Sequence, residues 1–182
     1  MGEPREVKLV MGLLASDDKA LQRAYKIITD EFGSTDLMSE IIPFSFTHYY
    51  NDEMGESILR QFVSFGRLIL PADLWEIKRH TIELENSQRI GGRRIMNLDP
   101  GYLTLHSLAL ASTKEACYRV YVGNGIYGQA MLQYKKSKFL PFEFTYPDYA
   151  DEKTLIFFDD VRQIYSRQIK SQGNTTAETL MN

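Results

Sequence analysis

Apolar residues run almost unbroken from Val7 to Ala15. A run this continuous, with β-branched members, predicts a buried strand. Ser16 follows as a candidate helix cap, and Asp17 and Asp18 complement the N-terminal dipole. Leu21, Ala24, Tyr25, Ile28 and Phe32 recur at helical spacing, and Gly33 ends the helix. Residues 34–38 read as a turn. Alternation of Ile42, Phe44 and Phe46 predicts a second strand over 40–47, in which Pro43 forces an edge position or a bulge. A polar loop leads to a third strand over 58–70. Pro71 suits a first helical turn, and Leu74, Ile77, Thr81 and Leu84 form the apolar stripe of a second helix. Gly91-Gly92 breaks it, and a fourth strand is expected over 93–99.

The order so far is βαββαβ, that of the split-βαβ, ferredoxin-like unit. Residues 102–112 fit helix and strand periodicity equally. Residues 118–134 predict a hairpin turning at Gly123-Asn124-Gly125. Another strand is expected at Phe142–Thr145. Asp151 is placed to cap a terminal helix carrying Phe157, Phe158, Val161, Ile164, Tyr165 and Ile169. The fold class expected is therefore α+β: a ferredoxin-like core, a C-terminal β-hairpin extension and a terminal helix. Residues 1–170 form one domain in this reading, and 171–182, small and polar, form a disordered tail.

Composition supports a folded chain, with 43% hydrophobic and 25% charged residues over 182 positions. Net charge is −3, which argues against a dedicated duplex-DNA binder. The single cysteine, Cys117, cannot form an intramolecular disulfide, so a cytoplasmic location is expected. In its strand-like setting it reads as a small buried hydrophobe rather than a nucleophile. No run approaches the roughly 20 apolar residues of a membrane span. No P-loop, dinucleotide-binding glycine fingerprint, Gly-x-Ser-x-Gly elbow or zinc-ligand spacing is present.

Four polar clusters remain. The loop Thr47-His48-Tyr49-Tyr50-Asn51-Asp52-Glu53 offers an imidazole, phenols and carboxylates for acid–base work or cation binding. Its plainer reading is a solvated connection. In Arg93–Tyr102, Arg93, Asn97 and Asp99 share one face of the predicted strand, ending in Asp99-Pro100-Gly101. This is either a ligand-facing strand or simply a turn. Tyr146-Pro147-Asp148-Tyr149 can stack on a ring and orient its hydroxyls, or can form the turn before the last helix. Lys135-Lys136-Ser137-Lys138 can attract phosphate, but more often such a run blocks edge pairing. In a ferredoxin-like unit we expect the second and fourth strands to run parallel, which would bring the 48–53 loop and the 99–102 turn to one sheet edge.

The chain resembles a bacterial and archaeal family of about this length, known only as a domain of unknown function. The resemblance is carried by Val7–Ser16, Pro43-Phe44-Ser45-Phe46-Thr47 with Tyr49-Tyr50 and Glu53-Met54-Gly55, and Asn97-Leu98-Asp99-Pro100-Gly101-Tyr102. Ala111-Ser112-Thr113-Lys114, Gly125-Ile126-Tyr127 and Tyr146-Pro147-Asp148-Tyr149 complete it. Some members are labelled GTP-binding; this chain has neither a P-loop nor an Asn-Lys-x-Asp motif. The recurring stretches include three of the four clusters and omit the lysine run.

The favoured expectation is a binding site for a small anionic or nucleotide-like ligand. His48, Asp52, Glu53 and Asp99 are its candidate acids, bases or cation ligands. Arg93 and Arg94 would hold an anionic group, and Tyr50, Tyr102, Asp148 and Tyr149 would contact the ligand. Whether the site is catalytic, and which cofactor or metal it uses, the sequence leaves open, as it does the oligomeric state. The alternative is a non-catalytic interaction or scaffolding module; the third reading is single-stranded RNA binding.

Overall fold

The computed structural model describes residues 4–47 and 49–179; His48 lies outside the described residues. In chain order the elements are β1 (Val7–Ala15), α1 (Asp18–Phe32), β2 (Thr35–Met38), β3 (Ile42–Pro43), α2 (Asn51–Met54) and β4 (Leu59–Ile69). They continue with α3 (Leu74–Ser87), β5 (Met96–Leu103), β6 (Ser107–Ser112), β7 (Val120–Gly123), β8 (Ile126–Lys135), β9 (Lys138–Pro141), α4 (Pro147–Ala150) and α5 (Glu152–Thr179). The protein is α+β. Its strands form one antiparallel sheet in the order β2-β4-β1-β5-β6-β8-β7, with β3 added to β4 and β9 to β8.

β1 is central and buried along its whole length, so alternation cannot show in its sequence. Leu9, Met11 and Leu13 face a core shared with Ala20, Leu21, Ala24 and Ile28 of α1. Val10 faces the opposite core, built with Phe157, Phe158, Val161 and Tyr165 of α5. The sheet is thus enclosed between helices. The cap of α1 is Asp17 rather than Ser16: its Oδ1 accepts the Ala20 N–H at 2.8 Å. Asp151 does cap α5, accepting the Lys153 N–H at 3.0 Å.

Several expectations are corrected. Residues 35–38 are a strand paired to β4, not a turn, and only Ile42 and Pro43 of the expected 40–47 strand join the ladder. Residues 102–112 are the end of β5 and all of β6. The segment 142–145 is a turn, closed by the Thr145 N–H on the Phe142 carbonyl, and the extra strand is β9. The lysine run forms the β8–β9 turn, with Lys136 and Ser137 at positive φ. Cys117 is exposed, not buried. The second and fourth strands of the expected core correspond to β3 and β5; β3 pairs β4, β4 pairs β1 and β1 pairs β5, all antiparallel, so the two run antiparallel and not parallel.

The most consequential correction is at Asp99-Pro100-Gly101. Despite its turn chemistry, this segment lies inside β5, paired to Gly12, Met11 and Val10 of β1. On its other side, β5 meets β6 only from Gly101 onward, at Gly101↔Leu110 through Leu103↔Leu108. Residues 96–100 therefore have no β6 partner, and the sheet is split there. The N–H and C=O of Leu98 point into the split; two residues on, Pro100 faces the same way. Proline has no N–H to leave unpaired, so its place at the mouth of the split costs no donor. Two side chains of α3, two helical turns apart, take the place of the missing strand. Lys78 Nζ donates to the Leu98 carbonyl at 2.9 Å, and Glu85 Oε1 accepts the Leu98 N–H at 2.9 Å.

At the hinge of the split, β6 crosses very close to Gly101. A Cβ there would lie 2.4 Å from the Ala109 carbonyl oxygen and 2.6 Å from Leu110 Cδ2. Gly101→Ala is expected to cost about 1–3 kcal/mol of stability, read from the urea midpoint. An unchanged midpoint would contradict this close approach.

Candidate functional site

The split opens into a cleft of about 610 Å³, within the range of roughly 300–1,000 Å³ usual for small-molecule sites. Aromatic side chains of the loop before α2 (Phe44, Phe46, Tyr49, Tyr50) form part of its lining, with Tyr146 from the start of α4. Arg60 of β4, Arg94, Asn97 and Asp99 lie within it, with Lys78 and Glu85 from α3. Ala111 to Lys114, from the end of β6 onward, also line it.

Arg60 occupies the floor with a side chain 3% exposed. Its Nε donates to Asp148 Oδ2 at 2.8 Å, and its Nη2 donates to the same oxygen. The guanidinium carbon lies 4.9 Å from the centre of the Phe62 ring and 5.4 Å from those of Phe44 and Tyr149, close enough for cation–π attraction. Burial works against the charge, but Asp148 foremost, with Asp99, overturns that and holds the pKa above its ordinary value. Nη1 is different: it is buried, has no hydrogen-bond partner, and is 3.9 Å from Asp99 Oδ2. Leaving a buried donor unmet costs on the order of 1–3 kcal/mol. The Tyr149 hydroxyl is also buried and unpartnered, and burial raises its pKa well above the usual phenol value. Both groups press on Gly12 of β1, where a Cβ would lie 2.6 Å from the Tyr149 hydroxyl and 2.8 Å from Arg60 Nη1. Gly12 is thus a packing requirement of the site, not part of a nucleotide-binding fingerprint.

A polar chain crosses the cleft from Arg60. Asp99 Oδ2 accepts from Asn97 Nδ2 at 2.7 Å, and Asp99 Oδ1 from Lys78 Nζ at 3.3 Å. Asn97 Oδ1 accepts from Arg94 Nη1 at 2.9 Å. Arg94 Nη2 is 2.7 Å from Glu53 Oε2, and Arg94 Nη1 is 3.5 Å from Glu85 Oε2. Arg94 Nε is buried without a partner. Burial pushes the Glu85 carboxyl above its usual range, against the pull of Lys78. Burial pushes Asp99 the same way, but Lys78, Arg60 and the Asn97 amide win and hold it below. Tyr50 is raised by burial and by Asp99. At the rim, the Lys114 ammonium stands 3.7 Å from the centre of the Tyr49 ring.

The charges lining the cleft are Arg60, Lys78, Arg89, Arg94 and Lys114 against Glu85, Asp99 and Asp148. The cleft is therefore positively biased within a chain of net charge −3. Among the described residues, no group of three or more His, Cys, Asp or Glu is placed to hold a metal ion.

Of the residues singled out from sequence, Tyr50, Arg94, Asp99 and Asp148 line the cleft, and Glu53 pairs with Arg94. Tyr149 lies beneath Arg60, behind the lining. Asp52 and Arg93 are exposed and outside it. Tyr102 packs with Trp75 against Leu74, Ala111 and Ile126 instead. The clusters meet because β5 is split from β6 beside the loop that precedes α2, not because two strands run parallel. Arg60, Lys78 and Glu85 escaped the sequence reading. The signal for the last two was present: Leu74, Lys78, Thr81 and Glu85 recur at helical spacing, and all four are the buried residues of α3. Charges on a buried stripe announce partners. Arg60, two residues before Phe62 in an apolar strand, carried the same signal.

An antiparallel sheet enclosed by helices, split to admit a charged and aromatic cleft, defines an α+β protein with a candidate ligand site. The chain belongs to the family described as Domain of unknown function (DUF4416), whose model matches residues 5–165. No curated protein and no solved structure matches it.

The depressed Asp99 pKa has a consequence in acid. Its support for the fold is complete above its ordinary value of 3.8 and is lost as pH falls through the lower folded value. Urea unfolding below about pH 4 should show stability falling more steeply in wild type than in Asp99→Asn. At neutral pH the variant should be less stable by roughly 1–3 kcal/mol, because Lys78 and Arg60 lose a counter-charge. Parallel pH profiles would contradict the assignment.

Proposed function

We propose that the cleft binds a small organic anion: a phosphate or carboxylate attached to a flat or apolar body, as in a nucleotide-like ligand. The observation that carries this reading is the pair of buried guanidinium donors without partners, Arg60 Nη1 and Arg94 Nε, both on side chains lining one cleft. Buried polar groups are almost always satisfied, and an exception inside a concave site calls for an incoming acceptor. The positive bias favours an anion, and Tyr49, Tyr50, Phe46 and Tyr146 provide ring surfaces for the ligand body. Glu85, with its raised pKa, and Asp99, with its lowered one, form a carboxyl pair of opposite protonation bias. Such a pair can serve proton transfer if the ligand is also a substrate.

The unit β1-α1-β2-β4-α3-β5 is read here as a ferredoxin-like core. The sheet order β2-β4-β1-β5 with antiparallel neighbours supports this, and β6 to β9 extend it from the β5 edge. No helix among the described residues is long and apolar enough to cross a membrane. The single cysteine supports action in the cytoplasm.

One observation favours a second reading, an interaction module. Val120 is 71% and Tyr121 59% exposed on β7, the strand that ends the sheet. A monomer in solution without captured partners would remove it. The RNA reading rests on tyrosines and the lysine run; tyrosines line the cleft, and the lysine run is outside it.

The test is thermal unfolding in the presence of aromatic and sugar monophosphates and carboxylates. A ligand of the native state at 100 times its Kd stabilises by about 2.7 kcal/mol. At least one compound should raise the Tm of wild type, and the gain should shrink in Arg94→Met and in Lys114→Met. No gain across the set, or an equal gain in Arg94→Met, would refute the reading.

A further inference from the structure

We propose that the Glu53 carboxylate is an internal stand-in for the ligand's anionic group, seated on Arg94 beside the cleft and displaced when the ligand binds. This rests on the reading of the cleft as an anion site. Arg94 presents two edges. Its Nη1 is committed to Asn97 Oδ1 at 2.9 Å and to Glu85 Oε2 at 3.5 Å. The other edge, formed by Nε and Nη2, is the fork on which carboxylates and phosphates dock with two parallel hydrogen bonds. Here that fork carries only an ion pair: Glu53 Oε2 sits 2.7 Å from Nη2, while the buried Nε has no partner. One nitrogen is charge-paired with the protein's own carboxylate and the other is left open.

Of the two carboxylates near Arg94, Glu53 is the one free to leave. Glu85 is 7% exposed and is anchored by the Leu98 N–H, in the place of the missing β6 pairing. Glu53 is 41% exposed and rides on the four-residue α2. A ligand phosphate or carboxylate can take both Nε and Nη2, exchanging one contact for two and meeting the orphaned donor. The exchange also reaches the cleft wall. Tyr49 and Tyr50 immediately precede α2 on the same short segment, and the Glu53 and Met54 N–H groups donate to the Tyr50 carbonyl. Glu53 thus leaves Arg94 from the same short segment that carries both tyrosines.

The experiment is calorimetric titration of the full chain with phenyl phosphate, a monoester carrying both an anion and a ring. Wild type, Glu53→Gln, Arg94→Met and Glu56→Gln are compared; Glu56 makes the same charge change at an exposed site outside the cleft lining. Removing a competing, half-exposed ion pair should tighten binding about two- to fivefold in Glu53→Gln. Glu56→Gln should match wild type. In the Arg94→Met background, adding Glu53→Gln should bring no gain. If wild-type binding depends on Arg94 but Glu53→Gln binds equally or more weakly, the stand-in role is wrong and the anion site stands. If Glu56→Gln tightens binding as much, the effect is one of bulk charge and the role is again wrong. If none of the proteins binds, both proposals fall.

Discussion

A full positive charge on a side chain 3% exposed, the Arg60 guanidinium, is the constraint around which the cleft is organised. An unpaired ion at that depth would cost several kcal/mol, so the chain supplies Asp148 from α4, on which two of the three guanidinium nitrogens converge. It also supplies Asp99 from β5 at 3.9 Å and three aromatic rings around the group. Gly12 follows from the same requirement, since any side chain there would strike Arg60 and Tyr149. What the arrangement leaves unmet is one nitrogen, Nη1. A device serving stability alone gains nothing from that orphan, because removing both partners of a buried pair in favour of apolar packing is often neutral or better.

The split in the sheet is the second half of the account. An uninterrupted β5–β6 ladder would close the cleft and bury Asp99 against β6. Pro100 and Gly101 act in sequence to prevent this: glycine permits β6 to cross closely, and proline, one residue earlier, needs no partner where β6 departs. The cost of a broken ladder falls on Leu98, and Lys78 and Glu85 meet it from α3. Because they do so with charged groups, they also set the electrostatics of the opening. Lys78 holds Asp99 ionised, and burial holds the Glu85 carboxyl high.

The parts of this that were legible in the sequence are those governed by local chemistry. β1 announced itself by an apolar run broken only by Lys8. The β7–β8 hairpin announced itself by Gly123-Asn124-Gly125, all three at positive φ. Asp-Pro-Gly misled because its local preference for a turn is weaker than a full register of pairing with β1, a non-local term that periodicity does not reveal. The direction of β5 relative to β3 differs from the expectation, yet Tyr49, Tyr50 and Glu53 do meet the segment 94–99, through the split rather than through parallel strand ends. Arg60, Lys78 and Glu85 do not stand out by periodicity, because a charge on a buried position is recognised only once the packing that buries it is known.

The central claim, that Arg60 keeps one donor in reserve for an incoming anion, is tested most directly by the NMR signals of the arginine side-chain nitrogens during titration with phenyl phosphate. The account predicts a saturable shift of the Arg60 Nη1 resonance, while exposed arginines such as Arg67 stay unmoved. An Arg60 signal unchanged through saturation of the protein by its ligand would contradict it.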